Sequence, residues 1–306
     1  MTCSVKLKPL TSDRGLALQT ERNQGAHSPL RFAAVYGTNP GLKRTLNEDS
    51  CLAQFPVFVV ADGMGGHQGG EVASAMAVGA LRTFVGRTDV TVQEARKTLA
   101  AAQAEISAFA DTLPDGAGTT LTGVIAVRGP DQAMEWLLLN IGDSRTYRRL
   151  GTEFVRLTRD HSLVQDMIDA GELTEEQALV DTARNVITRA LGDGESVPDL
   201  WTSPIVPGER IIVISDGAAE GVTDFELGQA TAGSDRQEAV QKVVDLALAR
   251  GGSDNITVIV LDVIGDRFAP NPPLPPLRPL SDRTELDFDQ DVPDDTTSPA
   301  LRRNSR

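Results

Sequence analysis

A set of short apolar runs limits the possible folds of this chain more than any other feature. They read FPVFVVAD (Phe55–Asp62), TTLTGVIAV (Thr119–Val127), MEWLLLNIGD (Met134–Asp143), ERIIVISDG (Glu209–Gly217) and NITVIVLDV (Asn255–Val263). Their length, their β-branched content and the turn residues that bound them predict strands rather than buried helices. RTYRRLGTEFVRL (Arg145–Leu157) predicts a hairpin turning near Gly151. Helical periods cover Gly70–Val85, Val92–Leu113 and Arg236–Arg250, the last stopped by Gly251-Gly252. The first two helices fall between Asp62 and Thr119, after which strand follows strand. That order is no βαβ alternation. It predicts a layered α/β (α+β) fold with antiparallel sheets instead of a doubly wound parallel sheet.

The globular region is expected over residues 31–263, preceded by a polar leader at 1–30. From 264 to 306 the composition turns to NPPLPPLRPL and then to an acidic stretch, with too little apolar surface to repay ordering. This tail is expected to be disordered, and reads either as a solvated terminus or as a docking segment with modifiable Ser and Thr positions. A formal charge of −14 and a pI near 4.7 argue against nucleic-acid binding, which needs concentrated Lys and Arg. Cys3 and Cys51 make no disulfide framework or zinc motif. There is no secretory signal and no apolar stretch near the ~20 residues a membrane span needs, so the expectation is a cytoplasmic monomer without membrane insertion.

The chemistry lies at the ends of the predicted strands. Asp62 ends one and is followed by Gly63-Met64-Gly65-Gly66; Asp216 sits in Ile214-Ser215-Asp216-Gly217, and Asp143 in Ile141-Gly142-Asp143-Ser144. Asp254 precedes the last strand in Gly252-Ser253-Asp254-Asn255, and Glu48-Asp49 lie ahead of the first. Each alone reads as a cap or turn. Together they suggest carboxylates gathered at one end of the sheets, where they would repel one another unless cations neutralised them. Oxygen-only ligation points to Mg²⁺ or Mn²⁺, because His27, His67 and His161 have no zinc-ligand spacing. Two such ions bridged by a carboxylate can hydrolyse phosphoesters. Arg44 reads equally as a fork for phosphate oxygens and as a structural ion pair with a nearby acid.

The blocks Arg44-Thr-Leu-Asn-Glu48-Asp49, Val59-Val-Ala-Asp62-Gly-Met-Gly-Gly-His67, Gly118-Thr-Thr120, Ile141-Gly-Asp143-Ser-Arg145, Ser215-Asp216-Gly217 and Gly252-Ser-Asp254-Asn255-Ile-Thr stand in this order. The set resembles the PPM/PP2C family of metal-dependent protein serine/threonine phosphatases, in its bacterial form, over Arg31 to Asp262. The resemblance implies a β-sandwich of two antiparallel sheets with a helix pair on each face. It implies two Mn²⁺ or Mg²⁺ ions: Asp62 bridging them, the Gly63 carbonyl on the second, Asp216 and Asp254 completing the first, and Glu48 and Asp49 acting near the second. Asp143, with Asp216, would hold a weaker third ion. Arg44 would grip the phosphate, and water or hydroxide activated at the metals would attack it. The implied substrates are phosphorylated proteins, in opposition to a bacterial serine/threonine kinase. Residues 161–191 look like the family's flap.

Eukaryotic members carry a histidine after the Asp-Gly pair, where this chain has Met64, which donates no proton. His67 reads as an alternative proton donor or as a brace at the following helix start, and His161 as a helix-start residue. A cysteine phosphatase is excluded because neither Cys3 nor Cys51 lies in a phosphate-cradling loop with an arginine downstream. Met64–Gly69 is not a P-loop, since no Gly-Lys-Ser/Thr closes it. A silent interaction module would have lost Asp62, Asp216 or Asp254, and all three are present.

Overall fold

Alternating residues along a single strand enter two different apolar layers, which is why the strands read as continuous hydrophobic runs. The structure, a computed structural model, describes residues 6–9, 30–65, 69–178, 181–194, 196–233, 235–266 and 273–280. Six strands form one antiparallel sheet: β1 (Lys6–Pro9), β2 (Arg31–Asn39), β8 (Arg145–Leu150), β9 (Glu153–Arg156), β11 (Glu209–Ile214) and β12 (Ile256–Ile264), in the order β1-β2-β12-β11-β8-β9. The second is built from β3 (Asp49–Gln54), β4 (Val57–Gly65), β6 (Leu121–Arg128), β7 (Met134–Ile141), β10 (Asp199–Pro204) and β13 (Arg278–Pro279). Its order is β13-β10-β7-β6-β4-β3, and short β5 (Ala117–Thr119) pairs with β4.

Along β4, Val57, Val59 and Ala61 face the helices α1 (Gly69–Leu81) and α2 (Val92–Ala110), which bring Ala77, Leu81, Leu99 and Ile106 to the same layer. Phe58 and Val60 point the other way and pack between the sheets with Ile259 and Leu261 of β12. On β12 the alternate residues Ile256, Val258 and Val260 meet Val240, Val243 and Ala247 of a third long helix at Arg236–Ala249. The result is a helix–sheet–sheet–helix stack, the antiparallel sandwich expected from the sequence. Local signals agree with it: Thr91 and Glu94 form a reciprocal capping box at the start of α2. The third long helix stops where Gly251 and Gly252 adopt positive φ and the Gly252 amide bonds back to the Ala247 carbonyl at 3.1 Å.

Shorter helices sit at the rim: α3 (Leu163–Asp169), α4 (Glu175–Ala178), α5 (Asp216–Ala219) and α6 (Asp224–Ala230), so that the long helix at Arg236–Ala249 is α7. Asp49 does not lie in a loop ahead of the first strand. It opens the edge strand β3, whose sequence DSCLAQ buries only Leu52 and Ala53 and so lacks an apolar run. Within the tail segment, residues 273–280 run along β10: Trp201 is opposite Pro279, and Leu277 and Leu280 pack on the core. β1 adds a leader segment to the edge of β2; the rest of the leader and residues 281–306 lie outside the described residues. Among the described residues no helix is long and apolar enough to cross a membrane.

Candidate active site

The strand ends that carry the acids meet at one edge of the sandwich. Asp49 and Asp62 are directly opposed in the β3–β4 register. Asp216 opens α5 just after β11, and Asp254 stands just before β12, the neighbouring strand. Asp143 lies in the turn between β7 and β8. A cleft of about 290 Å³ is lined by Arg44, Glu48, Asp62, Gly63, Asp216 and Asp254, with Met64, Asn185 and Ile187 also on its wall.

Backbone bonds hold this edge rigid. The Asp62 amide donates to Thr120 Oγ1 and its carbonyl accepts from the Thr120 amide, both at 2.9 Å. Thr120 Oγ1 lies 2.9 Å from Ser144 Oγ, so the Asp62 strand is tied to the turn holding Asp143. Asn255 braces the Arg44 loop: its amide group donates to the carbonyls of Pro40 (3.1 Å) and Leu46 (2.8 Å), and its Oδ1 accepts from the Glu48 amide at 2.8 Å. Two glycines have no substitute here. A Cβ on Gly63 would stand 2.0 Å from the Gly70 carbonyl oxygen of α1, and Gly142 combines φ +98° with Thr120 Cγ2 2.5 Å from a would-be Cβ.

The electrostatics are those of a site short of positive charge. Burial is the largest cause raising the Asp49, Asp62, Asp143 and Asp216 carboxyls, and like charge adds to it. Asp49 is pushed up to about 7; Asp62 lies well above the carboxylate range, beside Asp49 and Asp216. Asp62 and Asp216 stand close enough to perturb each other directly, Asp216 raising the Asp62 carboxyl further. Although Asp49 and Asp216 keep some surface open to the cleft, an Oδ1 of each, and of Asp143, is shut from solvent without a hydrogen-bond partner. Such orphaned oxygens are costly in a folded protein. They match the donor set of a hard divalent cation, so the residues fit the implied metals in chemistry. No three acidic, His or Cys side chains among the described residues are already drawn together as a closed ligand cage.

Arg44 lines the cleft, and its Nη2 lies 2.6 Å from Asp254 Oδ2, the ion pair with a nearby acid that the sequence allowed. That hydrogen bond holds its pKa above the ordinary value. The structure thus gathers Arg44, Glu48, Asp62, Gly63, Asp216 and Asp254 at the cleft, with Asp49 and Asp143 on its inner side; His67 lies outside the described residues.

His161 is more than a helix-start residue. It is buried at 2% exposure, its Nδ1 accepts from the Gly142 amide at 3.1 Å, and its Nε2 faces Asp199 Oδ2 at 3.1 Å. Nε2 faces two groups, Asp199 Oδ2 and, at 3.0 Å, Arg189 Nη1, which itself donates to Asp199 Oδ1 at 2.9 Å. The His161 carbonyl accepts from the Thr188 amide at 2.9 Å, joining the turn before Asp143 to the returning arm of the flap segment. Asn185, Ile187, Thr120, Ser144 and Asn255 were not singled out in sequence as site residues. Thr120, Ser144 and Asn255 stand in the quoted blocks without a role of their own, and no period or charge marks Asn185 or Ile187.

With this geometry in view, comparison with known proteins identifies the class. Residues 41–248 match the family described as Protein phosphatase 2C, and the chain belongs to that family. It is 34% identical over 256 residues to the serine/threonine protein phosphatase PstP of Mycobacterium tuberculosis, covering 80% of this chain but 47% of that protein. The chain therefore spans about half the length of this relative. It is 33% identical over 244 residues to the serine/threonine phosphatase stp of Listeria monocytogenes, covering 75% of this chain and 95% of that one. A catalytic domain of PstP solved in complex with two manganese ions superposes with a TM-score of 0.69, at 34% identity over 77% of this chain and 98% of that domain.

Proposed function

We propose that this chain is a metal-dependent phosphoprotein phosphatase that releases phosphate from phosphoserine and phosphothreonine in proteins phosphorylated by a serine/threonine kinase. One observation carries the reading: Asp49, Asp62, Asp143 and Asp216 bring mutually repelling carboxylates to the cleft and its inner side, three of them (Asp49, Asp143 and Asp216) with an orphaned oxygen, beside a guanidinium. Among the described residues no Lys or Arg is ion-paired with any of these four, and two Mn²⁺ or Mg²⁺ ions would neutralise them.

Asp62 and the Gly63 carbonyl, with Asp216 and Asp254, would hold the two ions; Glu48 and Asp49 would serve the second, and Asp143 with Asp216 a weaker third. When bound, such ions acidify water for attack on phosphorus and screen the phosphoryl oxygens. The chain's own residues do the positioning. The Gly63–Gly70 backbone contact and the Thr120 bonds fix Asp62 before substrate arrives, which spares reorganisation during the reaction. Arg44 orients the phosphate through its planar fork, and must loosen its pair with Asp254 to present both nitrogens. Met64 lines the cleft and supplies no proton, so the leaving oxygen takes its proton from water or from a group outside the described residues.

The test is hydrolysis of a phosphothreonine peptide by the purified chain, metal-free and with Mn²⁺ or Mg²⁺, beside Asp62→Asn. Metal-dependent turnover that drops at least ~10³-fold in folded Asp62→Asn is expected. Equal turnover with and without divalent ions, or an active Asp62→Asn, would overturn the reading.

A further inference from the structure

Exposed large apolar side chains are ordinary when scattered and informative when gathered. Eight occur among the described residues, and Leu42, Leu46, Leu163 and Val186 are four of them, at 39–60% exposure. None lines the cleft itself, but Leu42 and Leu46 lie two residues from Arg44, Val186 lies between Asn185 and Ile187, and Leu163 is bonded to Val186. Leu42 and Leu46 flank Arg44 on a loop fixed from below: the Leu42 amide donates to the Gly252 carbonyl at 2.7 Å, and the Leu46 carbonyl is held by Asn255. Val186 lies between Asn185 and Ile187, both on the cleft wall, and its carbonyl accepts from the Leu163 amide at 2.9 Å. The apolar pairs therefore rise from the two segments that wall the phosphate site, and Ile187 and Met64 continue the apolar surface into it.

The charges nearby disfavour another class of ligand. Arg44 is the one cation among the residues lining the cleft, against Glu48, Asp62, Asp216 and Asp254. The stretch 163–178 adds Asp166, Asp169, Glu172, Glu175 and Glu176 without a single Lys or Arg. Asp166 and Asp169 pair with Arg159, so Glu172, Glu175 and Glu176 are the acids that would repel an acidic residue next to the phosphate on that side, while Lys43 and Arg44 stand on the other.

Resting on the phosphatase reading above, we infer that the site selects phosphorylated segments whose residues next to the phosphoserine or phosphothreonine are apolar. These neighbours are seated on Leu42 and Leu46 on one side and on Leu163 and Val186 on the other. The phosphate supplies the anchor at Arg44; the flanking side chains gain by leaving water against the four rim residues.

The experiment uses the full chain with Mn²⁺ and three phosphothreonine peptides that differ only in the two residues flanking the phosphothreonine: Leu, Ser or Asp. p-Nitrophenyl phosphate, which has no flanking residues, is measured alongside. The expected kcat/KM order is Leu above Ser above Asp, with roughly tenfold between Leu and Ser from burial of two partly exposed side chains. In Leu163→Ser/Val186→Ser the Leu-to-Ser ratio falls toward one. Phe225→Ser, at the most exposed apolar residue and on α6 away from the cleft, leaves the ratio as it is.

Hydrolysis of p-nitrophenyl phosphate without a Leu preference, or a preference that survives in the double variant, would overturn this inference and leave the phosphatase reading standing. A ratio reduced equally by Phe225→Ser would overturn it as well. Failure to hydrolyse any of the four esters with either metal would remove the phosphatase reading, and this inference with it.

Discussion

Two regions of this molecule bury charge, and they resolve it in opposite ways. Between the sheets, Arg148 and Glu209 are almost wholly enclosed, 1% and 0% exposed in their side chains, and form an ion pair at 3.1 Å. The facing atoms, Arg148 Nε and Glu209 Oε2, meet as opposite charges without a well-formed hydrogen bond, and the others are provided for: Arg148 donates to Ser203 Oγ and the Pro275 carbonyl, each at 3.1 Å, while Glu209 Oε1 accepts from Trp136 Nε1 at 2.7 Å. At the sheet edge acids outnumber the one arginine, which is paired with Asp254, and no described cation is ion-paired with the other four. Asp49, Asp62, Asp143 and Asp216 stand together with raised pKa values, and Asp49, Asp143 and Asp216 each leave an oxygen orphaned. The difference separates structural from functional burial: a group retained for the fold has its partner in the sequence, and a group retained for chemistry leaves its partner to be supplied from outside.

That contrast is easiest to break in the core. Arg148→Met removes one member of the closed pair and leaves Glu209 buried without its counter-ion. The expected cost is about 3–5 kcal/mol, read from the denaturant midpoint, with partial recovery when Glu209→Gln is added. A loss below ~1 kcal/mol in the single variant would mean that the pair is not the closed unit described.

At the cleft the same comparison is sharpened by pH. Asp49 titrates near 3.9 when unfolded and is pushed up to about 7 in the fold, chiefly by burial. The folded state therefore keeps a proton that the unfolded state has lost, so this group's contribution to stability falls as pH rises from about 4 to about 7. Carboxylates held low by arginine partners, such as Asp89 and Asp169, act in the opposite sense but below that window. With chelator present, the Tm should be lower at pH 7.5 than at pH 5.5. Mn²⁺ should stabilise the fold more at pH 7.5, by an amount on the order of 1–3 kcal/mol, and raise the Tm accordingly. A Tm that is flat between these values, with the same metal increment at both, would contradict the open character of the site.

The sequence made the sandwich and most of the acids legible for one reason. Strands buried on both faces must be apolar throughout, so Asp62, Asp143 and Asp216 stand out where such runs end. Edge strands give no such contrast, and β3 and β10 were missed because DSCLAQ and DLWTSP are only partly buried. The residues that lock the site were equally hidden. Thr120, Ser144 and Asn255 act through hydrogen bonds between positions distant in sequence, which no period records. His161 carried one local signal, its place before the Ser162 cap of α3. Its contacts with Gly142 and Asp199 depend on how the β7–β8 turn meets β10, a tertiary fact.

The smallest effect expected is also the one whose sign separates the two regions. In Asp49→Asn the side-chain oxygen can still accept from Ser215 Oγ, which now lies 2.9 Å from Asp49 Oδ2. The amide replaces a carboxyl that burial and the neighbouring charges of Asp216 and Asp254 disfavour in its ionised form. At pH 7.5 with chelator, the variant should therefore be more stable than the parent by about 1 kcal/mol, or ~2–4 °C in Tm for a domain of this size. The increment on adding Mn²⁺ should shrink, since one oxygen ligand has lost its charge. Neutralising a charge would thus stabilise the cleft, where removing one from the Arg148–Glu209 pair destabilises the core. A destabilised metal-free Asp49→Asn would place Asp49 among the structural acids, and would move the site's unbalanced charge onto Asp62, Asp143 and Asp216 alone.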